Sequence, residues 1–215
     1  MFIHYIHRGL AKKNFKENTL PAFKYSFKQR YGIETDIQVT KDNQLICFHD
    51  FNLKRIFNLN KSIKDINYLT LKAISKKKKA TIPLLEELLK ISKNKYPLLL
   101  EIKPLFKKIN LLNLIQLTKK IKKYGIISFK ERNLIKLHKI NKKLPLGLLF
   151  NATTSFKNIK TKAKKKHVKF LVLEKKFLQN KNLHLLRKKI FYYTITKKNI
   201  FRKYKISKNL IFENL

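Results

Sequence analysis

The chain has 215 residues, 44% of them hydrophobic, which supports one domain with a packed core and excludes a disordered polymer. Lys and Arg number 52 against 12 Asp and Glu, a formal net charge of +40 that favours polyanions such as nucleic acid, acidic membrane surfaces or phosphorylated substrates. The lysines are scattered among Asn, Ile, Phe and Leu, as AT-rich coding produces, so the charge by itself assigns no function. No apolar run reaches the roughly 18 residues needed to span a bilayer. The N-terminal MFIHYIHRG lacks the basic, long-apolar and small-residue zones of a signal peptide, which points to the cytoplasm. A single cysteine, Cys47, excludes an internal disulfide and fits a reducing compartment.

In chain order, Phe2–Ile6 reads as a short strand, followed by His7-Arg8-Gly9. Thr19 is placed to cap a helix over Leu20–Arg30, with Pro21 in its first turn. Gly32 opens a second strand, which turns at Lys41-Asp42-Asn43 and returns as Leu45–Phe48. Residues 51–80 read as irregular, with a short helix near Leu69–Ser75 and a solvated loop at Lys76–Lys79. Pro83 precedes a helix, LLEELLKI. Pro97–Lys103, PLLLEIK, is a third strand with the apolar content of one buried on both faces. Helices follow at Leu111–Tyr124, Glu131–Asn141, Ser155–Lys166 and Asn180–Lys189, with a short helical link at Lys198–Lys203. Strands alternate with them at Gly125–Phe129, Leu146–Phe150, Phe170–Leu173, Ile190–Thr194 and Leu210–Phe212. Eight strands separated by helices predict an α/β fold, a closed (β/α)8 TIM barrel spanning residues 1–215 as one domain.

The chemistry gathers at the strand ends, where such barrels build their sites. Glu34 and Asp36 are two apart on a strand and so share a face. Two carboxylates on one buried face repel unless a positive group lies between them, and a hard divalent cation suits oxygen ligands. Glu101 and Lys103 share a face by the same parity, and His7 and Arg8 end the first strand. His49 closes the return after the second strand, where an imidazole is placed for proton transfer. One metal site, one anion pocket and two proton-transfer groups account for this inventory.

These residues stand in motifs that resemble the glycerophosphodiester phosphodiesterase family. The matching stretches are HRG at 7–9, ENT at 17–19 with Ala22 and Phe23 after it, ExDxxxTxD at 34–42, HD at 49–50, IPLLEELL at 82–89 and LEIK at 100–103. Weaker echoes follow at 127–129, 144–150 and 190–196. The resemblance implies a (β/α)8 barrel that hydrolyses small glycerophosphodiesters to an alcohol and glycerol phosphate with a divalent cation, Mg2+ or Ca2+. It implies that Glu34, Asp36 and Glu101 hold the metal, that His7 and His49 act as general acid and base, and that Arg8 and Lys103 contact the phosphate.

The chain departs from the family pattern in four places. Lys16 stands where a proline usually precedes ENT, and Arg55-Ile56-Phe57 replaces an Arg-Thr-Thr stretch. Tyr193-Thr194-Ile195 replaces a tryptophan motif, and Phe212-Glu213-Asn214 replaces a terminal Thr-Asp-x-Pro. With no helix after the eighth strand, one flank there is expected to lie open unless an earlier segment or a second subunit covers it. Asn18 reads as a loop or capping group, and Glu17 equally as a helix-start carboxylate or a brace for the site. Asp50 reads as orienting the His49 loop, and Phe150 or Tyr193 as pocket lining. Two rival readings remain: a lysophospholipase D-like activity assisted by peripheral contact with anionic membrane, and a non-enzymatic polyanion- or nucleic-acid-binding barrel. The second rests on net charge alone, and no specific nucleic-acid motif is present. The sequence leaves the oligomeric state open.

Overall fold

The computed structural model describes residues 2–215. Its strands are β1 (Tyr5–His7), β2 (Gly32–Val39), β3 (Leu45–Cys47), β4 (Leu98–Ile102), β5 (Tyr124–Ser128), β6 (Leu146–Phe150), β7 (Phe170–Glu174), β8 (Lys189–Ile195) and β9 (Asn209–Phe212). All but β3 run parallel and close on themselves, with β1 bonded to both β2 and β9. β3 turns back antiparallel on β2 outside the ring. The eight-stranded barrel is the one the strand count predicts. The helices are α1 (Leu20–Lys28), α2 (Lys54–Phe57), α3 (Tyr68–Lys77), α4 (Leu85–Ser92), α5 (Lys108–Thr118), α6 (Glu131–Ile140), α7 (Phe156–Ala163) and α8 (Lys198–Tyr204). Among the described residues, no helix is long and apolar enough to cross a membrane.

Strand parity sorts the side chains into two cores. Residues such as Ile33, Leu100, Leu148 and Leu210 face outward and pack with the helices. Tyr5, Leu99, Ile127, Phe170, Phe191 and Ile211 alternate with them and fill the barrel floor. Two residues further up the same inward faces stand His7 on β1 and Glu101 on β4, so the apolar floor gives way to a polar mouth.

The floor is tightly fitted. A Cβ built on Gly147 would lie 2.2 Å from the Phe170 ring, and one on Gly125 would lie 2.8 Å from the same ring. Phe170 is held edge-on by Phe191 at 5.6 Å between ring centroids, so a new methyl must displace a ring that is already packed on that side. Gly147→Ala is therefore expected to overpack the floor and cost about 1–3 kcal/mol. For a chain of this size that is a fall of roughly 3–10 °C in Tm by calorimetry. An unchanged Tm would show that the ring repacks freely.

Several element boundaries differ from those the sequence predicts. The helix expected at Leu111–Tyr124 occupies Lys108–Thr118. Its start carries no side-chain cap, which removes the local signal, and it stops where Asn94 binds the carbonyl of Lys120 and the amide of Lys122. The segment expected as a helix over Asn180–Lys189 forms two 3-10 turns, Lys175–Gln179 and Lys181–Leu186. Asn180 bonds the Asn182 amide there, a local alternative to the helical ladder. Lys76 and Lys77, expected in a loop, form the last turn of α3. Thr19 sits at the start of α1, but its hydroxyl donates to the Lys16 carbonyl rather than capping the helix. The flank after the last strand is not bare: Phe201 and Tyr31 lie against Phe212, at 4.5 and 5.0 Å between centroids.

Candidate active site

The register of three adjacent strands builds the mouth. His7 on β1 pairs with Glu34 on β2, and Asp36 on β2 pairs with Glu101 on β4. Parallel neighbours in register project the same way, so the three carboxylates converge. One oxygen from each of Glu34, Asp36 and Glu101 lies within 4.8 Å of the others, and all three residues are buried.

Burial of like charges decides their protonation. Burial, and then the charges of Asp36 and Glu101, hold the Glu34 carboxyl well above the usual carboxylate range. Burial and then Asp36 push Glu101 up to about 7. Burial pushes Asp36 up as well, but Arg8 and Lys103 outweigh it and keep that carboxyl low. Lys103 Nζ lies 2.9 Å from Glu101 and 3.5 Å from Asp36. Arg8 Nε lies 3.2 Å from Asp36 Oδ2, an ion pair whose N–H is not aligned for a hydrogen bond. Glu34 Oε2 is buried with no hydrogen-bond partner. Three buried carboxylates, one with an orphaned oxygen, are the donor set of a hard divalent cation. The group fits such an ion.

The chain holds Arg8 in place by an abrupt turn. Arg8 and Gly9 both adopt left-handed backbone, φ 50° and 72°, directly after β1. A side chain at position 9 would also meet Phe23 at 2.8 Å, so glycine is required twice over. Arg8 then bonds Glu17 at 3.2 Å.

Each imidazole is fixed by a carboxylate at Nδ1. His49 Nδ1 lies 2.6 Å from Asp50 Oδ1, and His7 Nδ1 lies 2.5 Å from Glu213 Oε2. In both rings these bonds leave Nε2 free of the fixing carboxylate, and in His7 it sits in the mouth 3.8 Å from Glu34. Burial lowers the His49 pKa, with the charges of Arg8 and Lys103 adding to this and Asp36 opposing it. The Gln38 side chain donates to the carbonyls of His49 and Asp50 and pins that loop.

The structure brings all seven expected site residues together and adds others. Asn18 lies in the loop before α1, as expected, but its side chain does more than shape that loop. It is buried, its amide donates to Asp36 at 3.1 Å, and Thr35 donates to its Oδ1 at 2.7 Å. Asn18 adopts left-handed backbone, φ 54°, a region Asn enters more readily than most residues. Glu17 braces the site: it accepts from Arg8 and from Arg55, the latter at 2.6 and 3.0 Å. Arg55 also bonds Asp50 at 2.6 Å, so Arg55 clasps the loop that carries Glu17 to the loop that carries His49 and Asp50. Asp50 orients His49, as the sequence suggested. Phe150 is buried on the outward face rather than lining the mouth, with its carbonyl accepting from the Tyr193 hydroxyl. No sequence signal marks Glu213, which stands where the family motif is lost.

Residues 7–189 match the model of the glycerophosphoryl diester phosphodiesterase family. The chain belongs to that family. A Bacillus altitudinis glycerophosphodiester phosphodiesterase is 39% identical over 95 residues, covering 40% of this chain and 38% of its own length. Human lysophospholipase D GDPD1 is 42% identical over 69 residues, covering 32% of this chain and 22% of its own. The matched stretches thus span well under half of these relatives. Among solved structures, a Thermotoga maritima glycerophosphodiester phosphodiesterase superposes with a TM-score of 0.83 at 24% identity, covering 100% of this chain and 95% of the other. An Oleispira antarctica phosphodiesterase in complex with the product sn-glycerol-3-phosphate does so at 0.81 and 19%, covering 99% and 92%. At these identities the likeness is one of fold.

Proposed function

We propose that this family member hydrolyses glycerophosphodiesters to an alcohol and sn-glycerol 3-phosphate, using Mg2+ or Ca2+ held by Glu34, Asp36 and Glu101. The observation that carries this reading is the convergence of those three buried carboxylates beside two carboxylate-fixed imidazoles. The Oleispira neighbour's bound product supports the choice of substrate class. When bound, the cation supplies Lewis-acid stabilisation of charge on the phosphoryl oxygens.

The chain's own residues do the rest. Arg8 and Lys103, already aimed into the mouth by their ion pairs, contact the non-bridging oxygens and neutralise charge that grows as the P–O bond to the alcohol breaks. One imidazole takes the proton of the attacking hydroxyl, whether water or the substrate's own glycerol. The other delivers a proton to the departing alkoxide. Asp50 and Glu213 hold the two rings so that Nε2 carries both transfers. The whole chain serves as one domain, and the single buried Cys47 suits a reducing cytoplasm.

The test is release of glycerol phosphate from glycerophosphocholine and glycerophosphoethanolamine with Ca2+, Mg2+ and Mn2+ supplied in turn. Turnover that a chelator abolishes is expected. A folded, cation-supplied protein that releases nothing would overturn the reading.

A further inference from the structure

We propose that the barrel mouth, along the rim after β3, β4 and β5, docks on an anionic lipid surface and takes a lipid-borne glycerophosphodiester headgroup from it. This rests on the hydrolase reading and names the source of its substrate. Ten large apolar side chains are exposed among the described residues, and five of them fall on this one rim. Phe51 follows β3, Leu105 follows β4, and Phe129 follows β5. Ile109 and Leu112, three apart on α5, share a face in its first two turns, at the end of the helix nearest the mouth.

Basic side chains stand beside three of the five, Phe51, Leu105 and Phe129. Phe51 and Leu105 border one groove of about 560 Å3, together with Lys64 and Lys107. Lys130, next to Phe129, places its ammonium 5.1 Å over the Phe51 ring. Of the carboxylates adjoining this rim in sequence, Asp50 is engaged by Arg55, and Glu131 by Lys162, Lys165 and His167, while Asp65 beside Lys64 makes no ion pair among the described residues. The rim therefore presents apolar side chains together with a surplus of lysines, Lys107 and Lys130 among them, that no carboxylate among the described residues pairs. A bilayer interface takes both, acyl region for the first and anionic headgroups for the second. A nucleic acid would use the lysines and could stack on the two Phe rings, but it offers nothing to Leu105, Ile109 and Leu112.

Vesicle co-sedimentation tests this with phosphatidylcholine vesicles, with and without phosphatidylserine. The intact protein is expected to bind only the mixed vesicles. The triple substitution Leu105→Ala, Ile109→Ala, Leu112→Ala should weaken that binding by about tenfold or more and leave turnover of soluble glycerophosphocholine unchanged. Lys64→Ala, Lys107→Ala, Lys130→Ala should weaken it similarly. A charge-matched control at the opposite end of the barrel, Lys122→Ala, Lys123→Ala, Lys189→Ala, should change it by less than about twofold. Absence of vesicle binding overturns the proposal, as does an equal loss from both lysine triples, which would mean diffuse charge. Single-stranded RNA that displaces vesicles while the aliphatic triple binds them normally also overturns it, in favour of a nucleic-acid surface. Rim-dependent vesicle binding without turnover of any diester removes the hydrolase reading and keeps the docking. Turnover without vesicle binding does the reverse.

Discussion

Glu101→Gln should make the cation-free protein more stable at pH 8 and nearly inactive. The Glu101 carboxyl ionises near 4.5 in the unfolded chain and near 7 in the folded one, because burial and Asp36 oppose its charge. A folded-state pKa raised for an acid means that the folded protein binds the extra proton. Stability without cation is therefore highest below 4.5, falls as pH rises through 7, and stays low above it. The gap corresponds to about 3 kcal/mol, or a fall in Tm of roughly 5–10 °C between pH 5 and 8. Glutamine keeps the shape and the acceptor for Lys103 but cannot ionise, so the variant's Tm should fall less than the native protein's across that range, with Glu34 left as the remaining raised acid.

Cation reverses the sign for the native chain. Binding needs the carboxylates ionised, so the Tm gained from added Mg2+ or Ca2+ should grow as pH rises through 7. The variant should gain little at any pH. Its turnover should fall roughly 10³-fold, the equivalent of about 4 kcal/mol of lost transition-state stabilisation. Calorimetry across pH, with and without cation, measures all of this. A native Tm that rises from pH 5 to 8 without cation would show that the three carboxylates do not repel in the folded protein. Function here costs stability, as charged sites often do.

Removal of either imidazole should be the other large effect. His49→Ala and His7→Ala are each expected to lower kcat by about 10²- to 10⁴-fold with little change in cation binding. Cation-induced change in Tm separates this from the first experiment, since the carboxylate cluster is intact. Added imidazole should restore part of the lost rate in each variant, because the cavity left is at the mouth. Asp50→Asn and Glu213→Gln should cost less, about tenfold in kcat, since each ring keeps its nitrogen but loses the carboxylate that fixes its tautomer. A His49→Ala protein with more than about a tenth of native turnover would mean that this ring moves no proton in the slow step.

What the sequence determined by itself is whatever runs along one strand or one turn. Side-chain alternation made Glu34 with Asp36, and Glu101 with Lys103, readable as shared faces before any fold was known. The run of apolar strands between helices gave the barrel, and the ends of those strands gave His7 and His49. Local geometry settles these, because a strand's pleat does not depend on its neighbours. Only the closed barrel decided the rest. Glu213 meets His7 across 206 positions because β9 lies beside β1. Asn18 reaches Asp36 because the chain turns sharply at Arg8 and Gly9 and comes back to bond the Arg8 carbonyl beside β2. Arg55 joins Glu17 to Asp50 because two loops that share no periodicity meet over the mouth. Such partners are set by ring closure and register, which no stretch of sequence encodes by its own spacing.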